Sequence, residues 1–106
     1  MAATVTKGYT KKDVRMAELL KAVAHPARIA VIRLLAKKNT CTCGEIVEQL
    51  PIAQATVSQH IKALKDSGVI TGKEEGASVL YSLNLKAIEE VDTLLDTFLT
   101  KISPER

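Results

Sequence analysis

The chain has 106 residues, enough for one domain with its own core and fewer than the length at which chains divide. Hydrophobic residues make up 46% of it and aromatic residues only 3%, so the core must come from Leu, Ile, Val and Ala, a supply that suits helices. A net charge of +3 permits an anionic partner; no apolar run nears the roughly 20 residues that cross a bilayer, no signal-peptide core opens the chain, and two cysteines one residue apart build no disulfide framework, so no membrane role and a cytoplasmic location are expected.

Residues 1–10, MAATVTKGYT, show no periodicity and are expected to form a flexible tail ahead of a single domain over residues 11–103. From residue 11 to 24, Val14, Ala17, Leu20 and Val23 recur at helical spacing, with Thr10 as cap and Asp13 completing a rough capping box. The front of the chain is also its basic part, where Lys7, Lys11, Lys12, Arg15, Lys21 and Arg28 outweigh Asp13 and Glu18. His25 and Pro26 break the chain, and because proline suits a first helical turn, a second helix is expected over residues 26–37. Ile29, Ile32, Leu34 and Leu35 make it apolar nearly all round, the mark of a central core helix. His25 is read as a capping or hydrogen-bonded turn histidine rather than a ligand or base. For Arg28 a salt bridge and a phosphate contact both stay open.

Thr42 and Glu45 form the T-x-x-E box that starts a third helix over residues 43–50, with Ile46, Val47 and Leu50 inward. Cys41 can pack on Ile46 as a staple and Cys43 falls in the first turn. Beyond Pro51, residues 53–68, AQATVSQHIKALKDSG, form an amphipathic helix. Val57, Ile61 and Leu64 share one side; Ala55, Ser58, Gln59 and Lys62 lie roughly opposite. A small residue, a hydroxyl, a carboxamide and a cation suit base edges and phosphates, although on composition alone a solvated face explains them equally well. The setting favours contact: short helix, tight turn, helix and then a strand pair is the winged helix-turn-helix, whose second helix enters the major groove. His60 borders the apolar side and is read as half-buried and bonded to neighbours rather than as a base contact. Gly68 is placed to close the helix in the left-handed conformation.

Two strands are expected over residues 69–73 and 78–83, joined through 74–77, with alternation clearest at Val79, Tyr81 and Leu83. This wing carries Glu74 and Glu75 at its tip, which phosphate repels, so contact there falls to Lys73, Ser78 or backbone amides. In a last helix over residues 86–101, acidic on balance in its first half, Ile88, Val91, Leu95, Phe98 and Ile102 stand three or four apart, and Leu94 and Leu99 widen the stripe. We read this seam as a dimer helix, with the first helix beside it through Val14 and Ala17; the competing reading is a terminal helix that closes its own core. The fold class is then mainly α with a small β-hairpin, about five helices plus a two-stranded wing, dimeric.

With AHPARIAVIRLLA, CTCGEIVEQL, AQATVSQHIKALKDSGVI and SVLYSLN located, the chain over residues 12–102 resembles the ArsR/SmtB family of bacterial winged-helix repressors. The resemblance implies a homodimer that binds a palindromic double-stranded DNA operator, represses transcription and lets go when an effector arrives. By position it implies DNA contacts at Gln54, Ala55, Ser58 and Gln59, with Thr56 and Lys62 on phosphate; Ala55 offers only an apolar contact, such as to a thymine methyl. The family often has serine where Ala53 stands, so the helix cap is weaker here. A Cys-x-Cys metal site at the start of the third helix is matched by Cys41 and Cys43, soft donors for As(III), Sb(III), Cd(II), Pb(II) or Cu(I), and a helix amino terminus lowers thiol pKa. No third cysteine completes a trigonal set. The family's other site, on the last helix, uses histidines, and Glu89, Glu90, Asp92 and Asp96 come without one, which argues against zinc there. A dithiol redox switch and structural cysteines with another effector remain open. An enzyme is not expected, since there is no glycine-rich phosphate loop, no nucleophile elbow and only two widely spaced histidines. A winged helix that binds protein is the rival the acidic wing tip allows.

Overall fold

The computed structural model describes residues 8–105; most of the expected tail, with Lys7, lies outside the described residues. Five helices and one hairpin follow in order: α1 (Lys11–Val23), α2 (Pro26–Lys38), α3 (Cys43–Gln49), α4 (Gln54–Asp66), β1 (Ile70–Glu75), β2 (Ser78–Leu83) and α5 (Leu85–Ile102). No helix among the described residues is long and apolar enough to cross a membrane.

Most helix starts follow from local side chains. The Asp13 N–H donates to Thr10 Oγ1 (3.0 Å) at α1, while the reciprocal half of the expected box is absent. His25 caps α2, its Nδ1 accepting from the Ala27 N–H at 2.9 Å. At α3 both halves of the box are made: Glu45 N–H donates to Thr42 Oγ1 (3.1 Å) and Thr42 N–H to Glu45 Oε1 (2.8 Å). Asn84 caps α5 through the Lys86 and Ala87 N–H groups, and its Nδ2 donates to Gly68 O at 2.9 Å. One side chain thus ties the end of α4 to the start of α5.

The core gathers Leu19 of α1, Val31 and Leu35 of α2, Ile46 of α3, Val57, Ile61 and Leu64 of α4, and Val69 and Ile70, with Ile88, Val91 and Leu94 of α5 packed against them. Two helices face differently from the expectation. In α2 the inward line is Ala27, Val31 and Leu35 at four-residue spacing, and Ile29 is left 44% exposed. In α1 the buried pair is Leu19 and Ala22, a pair the stripe of Val14, Ala17, Leu20 and Val23 does not include; Ala17 falls on roughly the opposite side at about 3.6 residues per turn and is exposed, the side the expected dimer face needs. Both differences have one cause: an apolar surplus on a helix cannot show which phase its neighbours will cover.

The hairpin is antiparallel and pairs Glu75 with Ser78, so its loop is the two residues Gly76 and Ala77 instead of four. Gly76 has φ 60° and Ala77 does not share the positive region, the II′ pattern whose twist matches the flanking strands. A further rung joins this sheet: Cys41 N–H donates to Tyr81 O (3.1 Å) and Tyr81 N–H to Cys41 O (2.8 Å). Tyr81 also faces Gly72, where an added Cβ would stand 3.1 Å from the ring. At the other end, α1 and α5 are clasped by Arg15, whose Nε and Nη2 donate to Glu90 Oε2 (3.0 Å) and Oε1 (3.1 Å).

Candidate nucleic-acid interface

The turn into α4 is short: Ile52 N–H donates to Leu50 O (2.8 Å), and Ala53 then opens the helix as its cap. Ala53 has no side-chain oxygen, so its carbonyl accepts from both Thr56 and Val57 N–H (3.0 Å each) and the earlier N–H groups keep no side-chain partner. Donors of that kind at a helix start suit a phosphate oxygen.

Along α4 the two sides separate cleanly. Val57, His60, Ile61 and Leu64 are buried, and Gln54, Ala55, Thr56, Ser58, Gln59 and Lys62 are all exposed. Gln54 and Gln59 make no hydrogen bond among the described residues, so their carboxamides are free to pair outward. Ser58 Oγ lies 3.7 Å from Cys43 Sγ, which leans it toward α3. Lys62 Nζ is 2.7 Å from Asp66 Oδ2, and on the wing Lys73 Nζ is 3.8 Å from Glu75 Oε2. Ser78 is exposed at the wing tip, and the reading of that tip as acidic holds for Glu74 and Glu75, both exposed.

Behind this face sits a polar junction that local spacing does not show. Arg28 makes no salt bridge among the described residues: its Nε donates to His60 Nδ1 (3.0 Å) and its Nη1 to Ala22 O (3.0 Å). His60 is 8% exposed, its ring centroid 4.4 Å from that of His25. Burial, reinforced by His25 and Arg28, pushes its pKa below the ordinary histidine value. The partners stand 32 residues apart, and the only sequence signal was the placing of His60 at the border of the apolar side.

The two cysteines are not equivalent. Cys41 is fully buried in the core, and burial, with Glu45 adding, pushes its thiol pKa up. The direction is opposite to the lowering expected at a helix start. Cys43 is half-buried, and both are free thiols. Among the described residues no three His, Cys, Asp or Glu side chains gather as a metal-ligand group.

On the expected dimer face, Ile88 and Val91 are half-buried against this chain's own core and Leu95 is half-buried. Phe98 and Ile102 stand 42% and 59% exposed. Val14 is half-buried and Ala17 exposed on α1, whose other side meets the core.

A family described as a helix-turn-helix domain matches residues 23–73. The repressor SmtB of Mycobacterium tuberculosis is 47% identical over 66 residues, 62% of this chain and 48% of that protein. The chain thus aligns with about half the length of that relative. A helix-turn-helix-type transcriptional regulator of Methanocaldococcus jannaschii is 31% identical over 86 residues, 81% of this chain and 97% of the relative. Among solved structures, an ArsR family transcriptional regulator superposes with a TM-score of 0.74 at 21% identity, covering 98% of each chain, a likeness of fold.

Proposed function

Because the chain belongs to the ArsR/SmtB family of winged-helix transcriptional regulators, which are not enzymes, we propose that it is a homodimeric repressor that reads a palindromic DNA operator. The observation that carries this reading is the exposed row Gln54, Ala55, Thr56, Ser58, Gln59 and Lys62 on a helix whose other side is locked in the core. Gln54 and Gln59 pair with base edges, Ala55 meets a methyl group, and Ser58 supplies a hydroxyl. Thr56, Lys62 and, from the wing, Lys73 and Ser78 contact phosphate and fix the register without reading sequence. Two such helices in one dimer would enter successive major grooves about one DNA turn apart.

The test is to enrich a duplex from a random pool with the wild-type protein and follow its affinity by fluorescence anisotropy over a range of salt. A steep fall of log affinity with log salt, and a loss of about 1–3 kcal/mol in Gln59→Ala confined to the preferred sequence, are expected. No enriched duplex, or binding indifferent to salt, would return the wing to its rival role as a protein-binding surface.

Release by As(III) or another thiophilic metal at Cys41 and Cys43 stays outside this reading. As placed, the donors do not fit such a group: one sulfur is sealed in the core with a raised pKa, and no third ligand stands with the pair among the described residues. Titrating arsenite into the duplex complex of the wild type and of the double Cys→Ser variant tests it. Equal responses would leave the cysteines a packing role; release confined to the wild type would make them the effector site.

A further inference from the structure

The exposed row on α4 can read a groove only if the helix behind it is held at one angle, and most of that hold is apolar and slippery. Beside the Cys43–Ser58 contact and the Asn84 bond to Gly68 at the helix's end, the polar hold on its middle is Arg28. From the first turn of α2 it donates through Nε to His60 on α4 and through Nη1 to the Ala22 carbonyl in the last turn of α1, so one rigid fork fastens three helices. His60 is the buried polar side chain of the core among the described residues, and it follows Gln59 directly in the chain.

The bond has a chemical condition. Nδ1 of His60 accepts from a guanidinium only while it carries no proton; a protonated ring has two N–H donors, no acceptor and a positive charge turned toward another cation. No carboxylate acts on His60 among the described residues; Asp13 and Glu18 of α1 and Asp66 of α4 line the cavity that Arg28 borders, without an ion pair to it. His25 and Arg28, both from the start of α2, are the titratable groups that act on His60; α1 contributes the Ala22 carbonyl, and α3 and β1 contribute no charged group to it. His25 cannot take over as acceptor at Nδ1, which is committed to the Ala27 N–H. Arg28 has no carboxylate partner among the described residues, so its charge stays aimed at the ring.

We propose that Arg28 and His60 are a positioning couple for the reading helix, made while His60 is neutral and broken when it takes a proton, so that acid loosens α4 and releases the operator. The inference rests on the DNA-reading function proposed above. Neither residue touches DNA; each acts through the orientation of Ser58 and Gln59.

The experiment uses the full chain and a duplex enriched from a random pool at about pH 7.5. Affinity is followed down to about pH 5.5, across the ordinary histidine value of about 6.5, beside two-bond proton–nitrogen spectra that show which ring nitrogen of each histidine is protonated. We expect affinity to start falling where His60 takes up its proton and, because its native pKa lies below the ordinary value, to drop by less than about ten-fold by pH 5.5, along a curve that follows His60's own titration. His60→Asn, whose carboxamide oxygen stands near the Nδ1 position and does not titrate, keeps its affinity flat. His25→Asn, which preserves the cap, keeps the acid response. Arg28→Lys, with one donor group in place of the fork, loses about ten-fold at neutral pH while its circular dichroism is unchanged.

Acid release in His60→Asn equal to that of the wild type, a release midpoint apart from His60's titration, or wild-type affinity in Arg28→Lys would each overturn the proposal; the midpoint comparison needs no variant to fold. Failure to enrich any duplex would take down the DNA reading and the release with it, whereas a neutral-pH spectrum with a proton on Nδ1 of His60 would sink the couple alone.

Discussion

Burial of His60 makes folding itself sensitive to acid. In the folded chain its pKa lies below the ordinary value, so as pH drops past about 6.5 the unfolded chain takes up a proton that the native state refuses. The stability tied to this residue is complete above that range and is lost as pH falls through the native pKa. Urea midpoints at about pH 7 and pH 5.5 should therefore fall further for the wild type than for His60→Asn; parallel falls would show that the ring does not set the acid response. The cysteines make a second residue-scale prediction. With Cys41 sealed and Cys43 half-exposed, iodoacetamide should label Cys43 at least about ten-fold faster, as read by peptide mass mapping, and Cys41 should react only on unfolding. The box at Thr42 told where the helix begins and placed Cys41 beside Ile46, but depth in the core is a property of everything packed above it. The same limit applied to Arg28, whose partners come from α1 and α4.

Elements were legible where their signals are local. Thr10, the Thr42–Glu45 box and Gly68 (φ 86°) each mark an end through bonds within a few residues, so these three helix boundaries can be read within a residue or two. The exposed side of α4 was equally clear, because Val57, Ile61 and Leu64 fix its inward phase. The wing is harder: the loop expected over residues 74–77 is two residues longer than the real one, since Glu74 and Glu75 resemble turn residues until pairing with Val79 and Ser78 draws them into the strand. The rung between Cys41 and Tyr81 had no local trace at all. It matters for the hairpin's footing, because Tyr81 is held from one side while its ring covers Gly72 on the other. An added Cβ at Gly72 would meet Val79 at 3.0 Å and the Tyr81 ring at 3.1 Å, so both must give by a few tenths of an ångström. Gly72→Val should cost about 1–3 kcal/mol by thermal or urea unfolding, whereas Thr71→Val, on the exposed neighbour, should be close to neutral.

Across the whole molecule, α5 divides its apolar stripe between two duties. Ile88, Val91 and Leu94 lean on this chain's core, while Phe98 and Ile102 face outward near the C-terminus. Under the proposed function a second copy covers that end, so Phe98→Glu should shift the mass measured by light scattering from dimer to monomer, with the helical signal of each chain preserved. A dimer of unchanged stability would move the interface elsewhere. The reading face carries its own consequence. Lys62 and Lys73 already lean on Asp66 and Glu75, so a duplex that offers phosphate and nothing else must prise each ammonium from a carboxylate it has at hand. Asp66→Asn should accordingly raise affinity for a scrambled duplex more, in proportion, than for the enriched one, and narrow the gap between them in the same anisotropy assay. Under the proposed function those two acids would act as a brake on loitering: the protein would leave arbitrary stretches of chromosome sooner and linger where Gln54 and Gln59 find their bases.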